Sequence, residues 1–465
     1  MPISDTLGGF IRPGYNPLLV TDAPTIGTAS ASGADGISIT FTAPSDVGGG
    51  AVTGYEAVAT DTVTAASFTG TGSSSPVTVT GLTKGQTYTV TVSATNAYGP
   101  SGGSAASNSI AIFNGAELWM WGEGSKGELG NGADSDTSSP VQVGALTNWT
   151  SIFGGRYVSV AIKADNTAWS WGYGAYYQLG LGNTTNYSSP KQIGALTNWL
   201  SISASYNNTA AVKTDGTMWC WGFGSYGQNG QGADTGNKDS PVQVGALTDW
   251  LQASSGYYSC AAVKTDGTIW TWGRSHKGQG GHGDTTSRSS PTQVGALTDW
   301  SKVSSIYQTA AAVKTDGTLW MWGNNAYGQL GQGNTTNTSS PVQVGALTDW
   351  SDVEAHHANT FALKTDGTIW TWGRNTEGQL GDGSTTATSS PNQVGALTTW
   401  SAIKIQYRSA LALKTDGTLW TWGGNSYGQL GQGDTTNTSS PVQIGALTTW
   451  KKIGGSQWFS GGGIK

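Results

Sequence analysis

The stretch KTDGTLWMWG, from Lys314 to Gly323, decides the fold of this chain. Its Asp-Gly pair lies between two runs of β-branched and aromatic residues, which is the strongest short-range signal for a β-hairpin. Trp320 and Trp322 are two residues apart, so on a strand they share one face. We therefore expect a tight turn followed by a strand that carries two indole rings on the same side.

The same stretch recurs along the chain. The pair WxWG occurs seven times at a spacing of 50 residues, once 51, at Trp119/Trp121, Trp169/Trp171, Trp219/Trp221, Trp270/Trp272, Trp320/Trp322, Trp370/Trp372 and Trp420/Trp422. A third Trp, which ends the phrase GALTxW, recurs in register at Trp149, Trp199, Trp250, Trp300, Trp350, Trp400 and Trp450. Of the 22 Trp, only Trp458 lies outside this pattern. Such a period indicates one supersecondary unit that stacks on its neighbours.

Each unit contains about four short strands. The segment GQLGQGNTTNTSSPVQVGALTDW (Gly328 to Trp350) places Gly, Pro, Asn and Ser between short apolar runs, and no helical period occurs. Seven such units predict an all-β fold with a closed seven-bladed propeller over residues 114–465. The first unit begins at its WxWG strand, whereas the last unit ends with the strand that would precede a WxWG strand. We therefore expect one blade to be completed by strands from both ends, which removes exposed sheet edges.

At these residues the chain resembles a known family. WGNNAYGQLGQG (Trp322 to Gly333), WGRNTEGQLGDG (Trp372 to Gly383) and WGGNSYGQLGQG (Trp422 to Gly433) resemble the WGxNxxGQLGxG signature of regulator-of-chromosome-condensation propeller repeats. The resemblance covers residue 115 to the end and implies the same propeller. A His that family members commonly carry is replaced here by Val158, Asn208, Ser259, Thr309, Asn359, Ser409 and Ser460. Nucleotide exchange on a small GTPase, the best-known family activity, therefore does not carry over residue by residue.

Residues 23–113 predict a second domain. The phrase GLTKGQTYTVTVSATNAYGPS (Gly81 to Ser101) resembles the end of a fibronectin type III β-sandwich. The resemblance places Tyr88 at the corner tyrosine of that fold, Leu82 inside, and Phe41 where such domains often have Trp.

Residues 1–22 are rich in Pro and Gly and show no periodicity, so they indicate an extended arm that becomes ordered on a partner. The larger side chains of this arm, which we expect to form the anchoring contacts, are Phe10, Ile11, Arg12 and Tyr15.

Composition excludes several classes of protein. The 465 residues carry a net charge of −6, and scattered Lys and Arg offer no footprint for nucleic acid. Cys220 and Cys260 have no paired spacing and are expected to be free core thiols. A signal peptide and an apolar run of about 20 residues are both missing, so we expect synthesis in the cytoplasm and no membrane insertion.

The sequence offers no catalytic constellation, and we expect neither enzymatic activity nor a cofactor. Glu354, His356 and His357 form the one compact cluster of metal-ligand types. Adjacent His residues on a strand point to opposite faces, so a solvated loop tip is the simpler interpretation, and no metal is expected.

A comparison between the units indicates where a partner would bind. Two adjacent positions before each inner strand vary while the rest of the unit barely changes. The first column is Arg156, Tyr206, Tyr257, Tyr307, His357, Tyr407 and Trp458, and the second is Tyr157, Asn207, Tyr258, Gln308, Ala358, Arg408 and Phe459. We predict that the residues of the first column encircle one end of the channel and recognise a glycan or protein. The same prediction includes Tyr157, Tyr258 and Arg408 of the second column. Packing between blades, or drift in an exposed loop, is the alternative.

The order of arm, sandwich and propeller is similar to surface components of phage particles. We expect a capsid decoration or tail-fibre protein on the virion surface, oligomeric there, attached to other virion proteins through the arm and touching a host glycan or protein. The alternative is a protein-binding or enzyme-inhibitory propeller scaffold of bacterial origin. A nucleotide-exchange factor is a third possibility, but no long insertion breaks the period to supply a wedge.

Overall fold

The computed structural model describes residues 19–32, 35–83, 86–112, 116–144, 146–233, 235–455 and 458–465. The predicted arm contacts Phe10, Ile11, Arg12 and Tyr15 lie outside the described residues. The residues that the structure describes form strands and turns without any α-helix, which confirms the all-β class. Within the same residues no helix of the length and apolarity needed to span a bilayer is found.

The chain divides into two compact units, Met1–Gly115 and Ala116–Lys465. The first unit contains eight strands: β1 (Thr25–Ser32), β2 (Gly36–Thr42), β3 (Gly54–Asp61), β4 (Ser67–Gly72), β5 (Val77–Val79), β6 (Thr87–Asn96), β7 (Gly99–Pro100) and β8 (Ile110–Ala111). One sheet has the order β1-β2-β5 and the other β4-β3-β6-β7, with β8 also paired to β6. Alternate residues of β6 are buried, as expected for a strand with one face on a core.

The core of this sandwich contains the residues that the sequence singles out. Tyr88 is fully buried, and its hydroxyl accepts a hydrogen bond from the main-chain N–H of Thr83 at 3.0 Å. Leu82 is buried beside it, and the Phe41 ring lies 4.6 Å from that of Tyr55. The hydroxyl of Tyr88 thus ties the start of β6 to the segment before it.

The second unit is a propeller of seven four-stranded antiparallel sheets. Blade 7 combines strands from both ends of the unit, beginning with β9 (Leu118–Gly122) and β10 (Thr137–Gln142). Blades 1 to 3 are β11 (Trp149–Gly154), β12 (Val158–Lys163), β13 (Ala168–Gly172), β14 (Tyr187–Gln192); β15 (Trp199–Ala204), β16 (Asn208–Lys213), β17 (Met218–Gly222), β18 (Lys238–Gln243); and β19 (Trp250–Ser255), β20 (Ser259–Lys264), β21 (Ile269–Gly273), β22 (Arg288–Gln293).

Blades 4 to 6 are β23 (Trp300–Ile306), β24 (Thr309–Lys314), β25 (Leu319–Gly323), β26 (Thr338–Gln343); β27 (Trp350–Ala355), β28 (Asn359–Lys364), β29 (Ile369–Gly373), β30 (Thr388–Gln393); and β31 (Trp400–Ile405), β32 (Ser409–Lys414), β33 (Leu419–Gly423), β34 (Thr438–Gln443). The chain ends with β35 (Lys452–Gly455) and β36 (Ser460–Ile464). The order in blade 7 is β10-β9-β36-β35, with Leu118 opposite Ile464, so the last strand of the chain pairs with the first strand of the propeller.

The Trp lattice joins each blade to the one before it. The second Trp of every WxWG pair is buried and donates its indole N–H to a main-chain carbonyl of the preceding blade, at 2.8–3.0 Å. The seven donor and acceptor pairs are Trp121–Gln429, Trp171–Glu128, Trp221–Gln178, Trp272–Gln228, Trp322–Gln279, Trp372–Gln329 and Trp422–Gln379. Blade 7 takes part like the others, so the lattice closes.

The third Trp of each unit packs beside the pair. Trp300 meets Trp320 edge to face at 6.0 Å, and the ammonium of Lys314 lies 5.0 Å and 4.7 Å from these two rings. Lys314 also pairs with Asp299 at 3.3 Å. Aromatic faces and a nearby carboxylate thus stabilise a buried ammonium at this position. Cys220 and Cys260, predicted to be free core thiols, are buried and are not joined by a disulfide.

Candidate binding face at one end of the channel

The first strands of the blades lie next to one another and line a central channel. The channel holds a cavity of about 150 Å³. Lys302 of blade 4 pairs with Asp352 of blade 5 at 3.1 Å, and Lys404 of blade 6 pairs with Glu354 of blade 5. Sequence reasoning missed this polar lining, although the signal is present as polar residues at alternate positions of the first strands.

The cluster Glu354, His356 and His357 is not a solvated loop tip, so that expectation is wrong. Glu354 is in the channel and paired with Lys404, His356 is completely buried, and His357 is half-buried. The residues fall on a strand and the turn that follows it, which separates their side chains. Among the described residues no group of three or more His, Cys, Asp or Glu side chains is arranged to hold a metal ion.

The first variable column forms a closed ring at one end of the channel, in the turns between the first and second strands. Each member contacts the next. The distances between ring centroids, or from the Arg156 guanidinium carbon to a centroid, are 5.5 Å for Arg156–Tyr206, 5.0 Å for Tyr206–Tyr257, 5.0 Å for Tyr257–Tyr307, 4.5 Å for Tyr307–His357, 5.7 Å for His357–Tyr407, 4.4 Å for Tyr407–Trp458 and 4.6 Å for Trp458–Arg156. We call these seven side chains the ring. All seven are half-buried.

Electrostatics hold Arg156 charged and His357 neutral within the ring. Burial alone would lower the pKa of Arg156, but a 3.0 Å hydrogen bond to the Tyr157 hydroxyl and the nearby tyrosines raise it. Burial, with the neighbouring Arg374, lowers the pKa of His357. Burial also raises the pKa of Tyr257. The ring therefore carries one positive charge at neutral pH.

The second variable column contains aromatic side chains and one arginine beside smaller or polar residues. Tyr157, Tyr258 and Phe459 are half-buried aromatic side chains beside the ring. Arg408 is drawn into a 2.7 Å ion pair with Glu377. The predicted site residues of both columns thus lie at the same end of the propeller, where they differ in how much of each side chain is free to contact a partner.

A set of aromatic side chains that sequence reasoning missed surrounds the ring. It comes from the first and fourth residues after each WxWG pair, at the end where the third strand meets the same turns. We call this set the outer belt: Tyr173, Tyr176, Phe223, Tyr226, Tyr327 and Tyr427. Centroid distances of 5.9 Å for Tyr176–Tyr206, 6.2 Å for Tyr327–His357 and 4.8 Å for Tyr427–Phe459 join it to the two columns.

The outer belt contains the most exposed aromatic rings of this end. Tyr226, Tyr327 and Tyr427 are 39%, 41% and 38% exposed. The sequence contains a signal for the outer belt, because the fourth position after WxWG varies from blade to blade: Lys126, Tyr176, Tyr226, Lys277, Tyr327, Glu377 and Tyr427. We call the ring, the second column and the outer belt together the binding face, after the prediction that a partner docks there.

The opposite end of the propeller has a different surface. Seven leucines of the GALTxW phrases are 37–46% exposed there: Leu146, Leu196, Leu247, Leu297, Leu347, Leu397 and Leu447. The first strand of the propeller, β9, begins at that end, because it runs from Leu118 towards Gly122 and Gly122 lies beside the turns of the ring.

Comparison with known proteins agrees with this geometry. Residues 116–162, 165–212, 215–263, 266–313, 316–363, 366–407 and 416–461 match the family described as regulator of chromosome condensation (RCC1) repeat, and a second family of that description matches residues 199–228, 250–279 and 300–329. Residues 22–110 match the fibronectin type III domain. No curated protein matches the chain.

Solved propellers share the fold. Human WBSCR16 is 19% identical, with a TM-score of 0.68 over 75% of this chain and 98% of that one. Yeast RCC1 (Prp20), in a complex with Kap60, is 20% identical, with a TM-score of 0.67 over 76% and 89%. Prp20p from Saccharomyces cerevisiae, in a study of its binding to Gsp1p and histones, is 19% identical with a TM-score of 0.67 over 75% and 91%. The seven-bladed propeller with an N-terminal fibronectin type III domain is thus confirmed.

The expected role in a phage particle finds no support in these matches, since neither the families nor these three structures are described as phage proteins. The virion location and the anchoring partners stay predictions.

Proposed function

The chain belongs to the regulator of chromosome condensation (RCC1) repeat family, and we propose that it is a non-enzymatic scaffold that binds another protein through the binding face. The observation that carries the proposal is the closed ring of seven half-buried side chains, of which six are aromatic, together with the outer belt around it. Tyr, Trp and Arg are the residues that dominate the energetics of protein interfaces.

The way the repeats vary supports this proposal. The Trp lattice repeats without change in all seven blades, whereas the columns of the binding face hold different residue types from blade to blade. A purely structural column in near-identical repeats needs one residue type. The variation is therefore concentrated on one end of an otherwise uniform object, as a specific interface requires.

The relatives support protein binding. The related propeller Prp20 is described with Kap60 and with Gsp1p and histones. Members of this family commonly carry a His that this chain lacks in all seven blades, so we do not extend exchange activity to it. The described residues also contain no metal-ligand cluster around which hydrolytic chemistry would be built.

A site-specific photo-crosslinking experiment tests the proposal. A benzophenone amino acid is placed at Tyr327 on the binding face or, as a control, at Leu347 at the opposite end, which has similar exposure. In extract of the source organism we expect a discrete protein adduct from position 327 and none from position 347. Equal labelling from both positions, or no adduct at 327, would overturn the proposal.

A triple variant provides the second arm. Tyr226→Ser, Tyr327→Ser and Tyr427→Ser remove the most exposed rings at a position where other blades carry Lys or Glu, so the blade tolerates polar residues there. We expect the adduct at other binding-face positions to be lost with the thermal unfolding temperature nearly unchanged. The matched control, Leu247→Ser with Leu347→Ser and Leu447→Ser, should leave the adduct intact.

A further inference from the structure

The charges of the binding face identify its partner more closely. We propose that the surface that docks there is an acidic stretch of polypeptide, rich in Asp and Glu, whose carboxylates pair with arginines stacked on tyrosines of the face. This inference rests on the proposed function and names the chemistry of the partner.

The binding face is basic although the chain is acidic. Its four variable columns, which are the two turn columns and the first and fourth residues after WxWG, contain six basic residues and two acidic ones. The basic residues are Lys126, Arg156, Arg274, Lys277, Arg374 and Arg408, and the acidic ones are Glu123 and Glu377. The whole chain has a net charge of −6. These columns are thus net basic in a protein that is acidic overall, although the exposed carboxylate of Asp136 lies beside Glu123.

The two carboxylates of the face offset only part of this charge. Glu377 neutralises Arg408 through their ion pair. Glu123 is buried, and Arg156 and Lys126 are the positive charges that act on its carboxylate. Five cations of the face, which are Lys126, Arg156, Arg274, Lys277 and Arg374, have no ion-pair partner among the described residues.

Two of these cations, Arg274 and Arg374, are pre-oriented to bind carboxylates. The guanidinium carbon of Arg274 lies 4.9 Å from the Tyr226 centroid and 5.5 Å from that of Tyr258, and Arg374 lies 5.8 Å from the Tyr327 centroid. A guanidinium that packs on an aromatic face keeps N–H groups along its edge available for a bidentate carboxylate. Stacking also removes part of the rotamer freedom that binding would otherwise have to remove.

Arg288 provides a comparison, because its guanidinium already pairs with a carboxylate. Arg288, on the outer strand of blade 3, donates to both oxygens of Asp284 at 3.1 Å and 2.9 Å. By contrast, Arg374 donates one hydrogen bond, from Nε to the Thr376 hydroxyl at 3.0 Å, and Arg274 donates no side-chain hydrogen bond to any described residue. The unfilled donors lie on the binding face.

The hairpin turns at the other end of the propeller have the opposite charge at their surface. The hairpin turns there expose six carboxylates, Asp165, Asp215, Asp266, Asp316, Asp366 and Asp416. The lysines of the same turns are buried or half-buried between Trp rings. The resulting separation of charge along the channel axis steers an acidic partner to the binding face and away from the leucine end.

A polypeptide fits this face better than a nucleic acid. The cations are interleaved with large half-buried aromatic rings around seven blades instead of forming a basic stripe that tracks phosphates. Aromatic side chains with polar tips, set beside arginines, match a protein surface that presents apolar side chains among carboxylates.

A random dodecapeptide display library tests the inference on the full chain. Peptides are selected on the wild type and depleted on the triple variant Tyr226→Ser, Tyr327→Ser, Tyr427→Ser. We expect the remaining peptides to be enriched in Asp and Glu. Peptides that depend on the tyrosines but lack acidic residues would overturn this inference and leave the proposed function standing. A selection that yields no tyrosine-dependent peptide would contradict the proposed function itself.

Affinity measurements on a selected acidic peptide complete the test. Replacing Arg274→Gln and Arg374→Gln together should weaken binding by about a hundredfold, or about tenfold for each charge-assisted pair. The control Arg288→Gln, which removes an arginine already paired elsewhere, should leave the affinity unchanged. A loss below about twofold in the double variant, or tighter binding of heparin or polyuridylic acid than of the peptide, would refute an acidic polypeptide as the partner.

Discussion

Glu128 makes the stability of the propeller depend on pH. It occupies a buried position that Gln holds in the other six blades, at Gln178, Gln228, Gln279, Gln329, Gln379 and Gln429. In blade 4, Gln329 accepts from the Tyr327 N–H through Oε1 and donates from Nε2 to the His357 carbonyl in the next blade. Glu128 accepts from the Lys126 N–H at 2.8 Å, while its other oxygen is buried and unpartnered. A proton on that oxygen reproduces the donor of the amide.

The size of the effect follows from the pKa. Burial raises the pKa of Glu128 from 4.5 to about 8, against the lowering influence of main-chain hydrogen bonds. Because the raised pKa belongs to the folded state, ionisation of Glu128 does not lower the free energy of unfolding below pH 4.5, but lowers it increasingly as the pH rises towards 8. At about 1.4 kcal/mol per pH unit, the free energy of unfolding falls by about 3 kcal/mol at pH 7 and by about 5 kcal/mol above pH 8.

Urea unfolding of Glu128→Gln and wild type between pH 4.5 and 8.5 measures this loss. All 22 Trp lie in the propeller, so Trp fluorescence follows that unit alone. We expect equal free energies of unfolding near pH 4.5 and a growing advantage of the variant at higher pH. The reciprocal variant Gln329→Glu should introduce a second loss of the same sign. Parallel stability curves for wild type and Glu128→Gln would refute the reasoning.

The same titration checks three further predictions. Gly331→Ala should lower the free energy of unfolding by about 3 kcal/mol and Gly333→Ala by about 1 kcal/mol. Both glycines have φ of +71°, but only Gly331→Ala would place a Cβ 2.9 Å from an indole of the next blade. Equal losses in the two variants would exclude a contribution from this close contact. Trp458→Ala should cost about 2 kcal/mol by removing ring contacts, and a loss below about 0.5 kcal/mol would contradict a packed ring. Lys404→Met should lower the free energy of unfolding by about 4 kcal/mol by leaving Glu354 unpaired in the channel, and Lys404→Met with Glu354→Leu should recover most of this loss. A double variant no more stable than the single one would argue against the pair.

Much of the architecture was predictable because it rests on a short-range code repeated seven times. The Asp-Gly turn and the paired Trp predict the hairpin, and the period predicts the blades. The offset between the ends indicates closure, which the pairing of Leu118 with Ile464 in blade 7 now describes. Aligned repeats also place equivalent residues in a circle, so the positions of Tyr307 and Tyr407 in the ring followed from counting.

The partners of the side chains were not predictable in the same way. The channel pair Lys404–Glu354 joins residues 50 positions apart on adjacent blades, and only closure of the propeller brings them together. The cluster at His356 looked like a solvated loop because the sequence does not show that first strands face an enclosed channel. Arg408 was grouped with the binding residues, but its carboxylate partner Glu377 comes from the preceding blade.

By itself the sequence determined the class, the number of blades and the end of the propeller where variation gathers, because these depend on local turn chemistry and a fixed period. The tertiary structure alone decided which variable side chains are spent on the fold and which remain free. Arg408 is neutralised, Glu128 is held against ionisation, and Arg274 and Arg374 keep unfilled donors. The physical reason is that pairing and burial arise between blades, across contacts that no window of a single repeat contains.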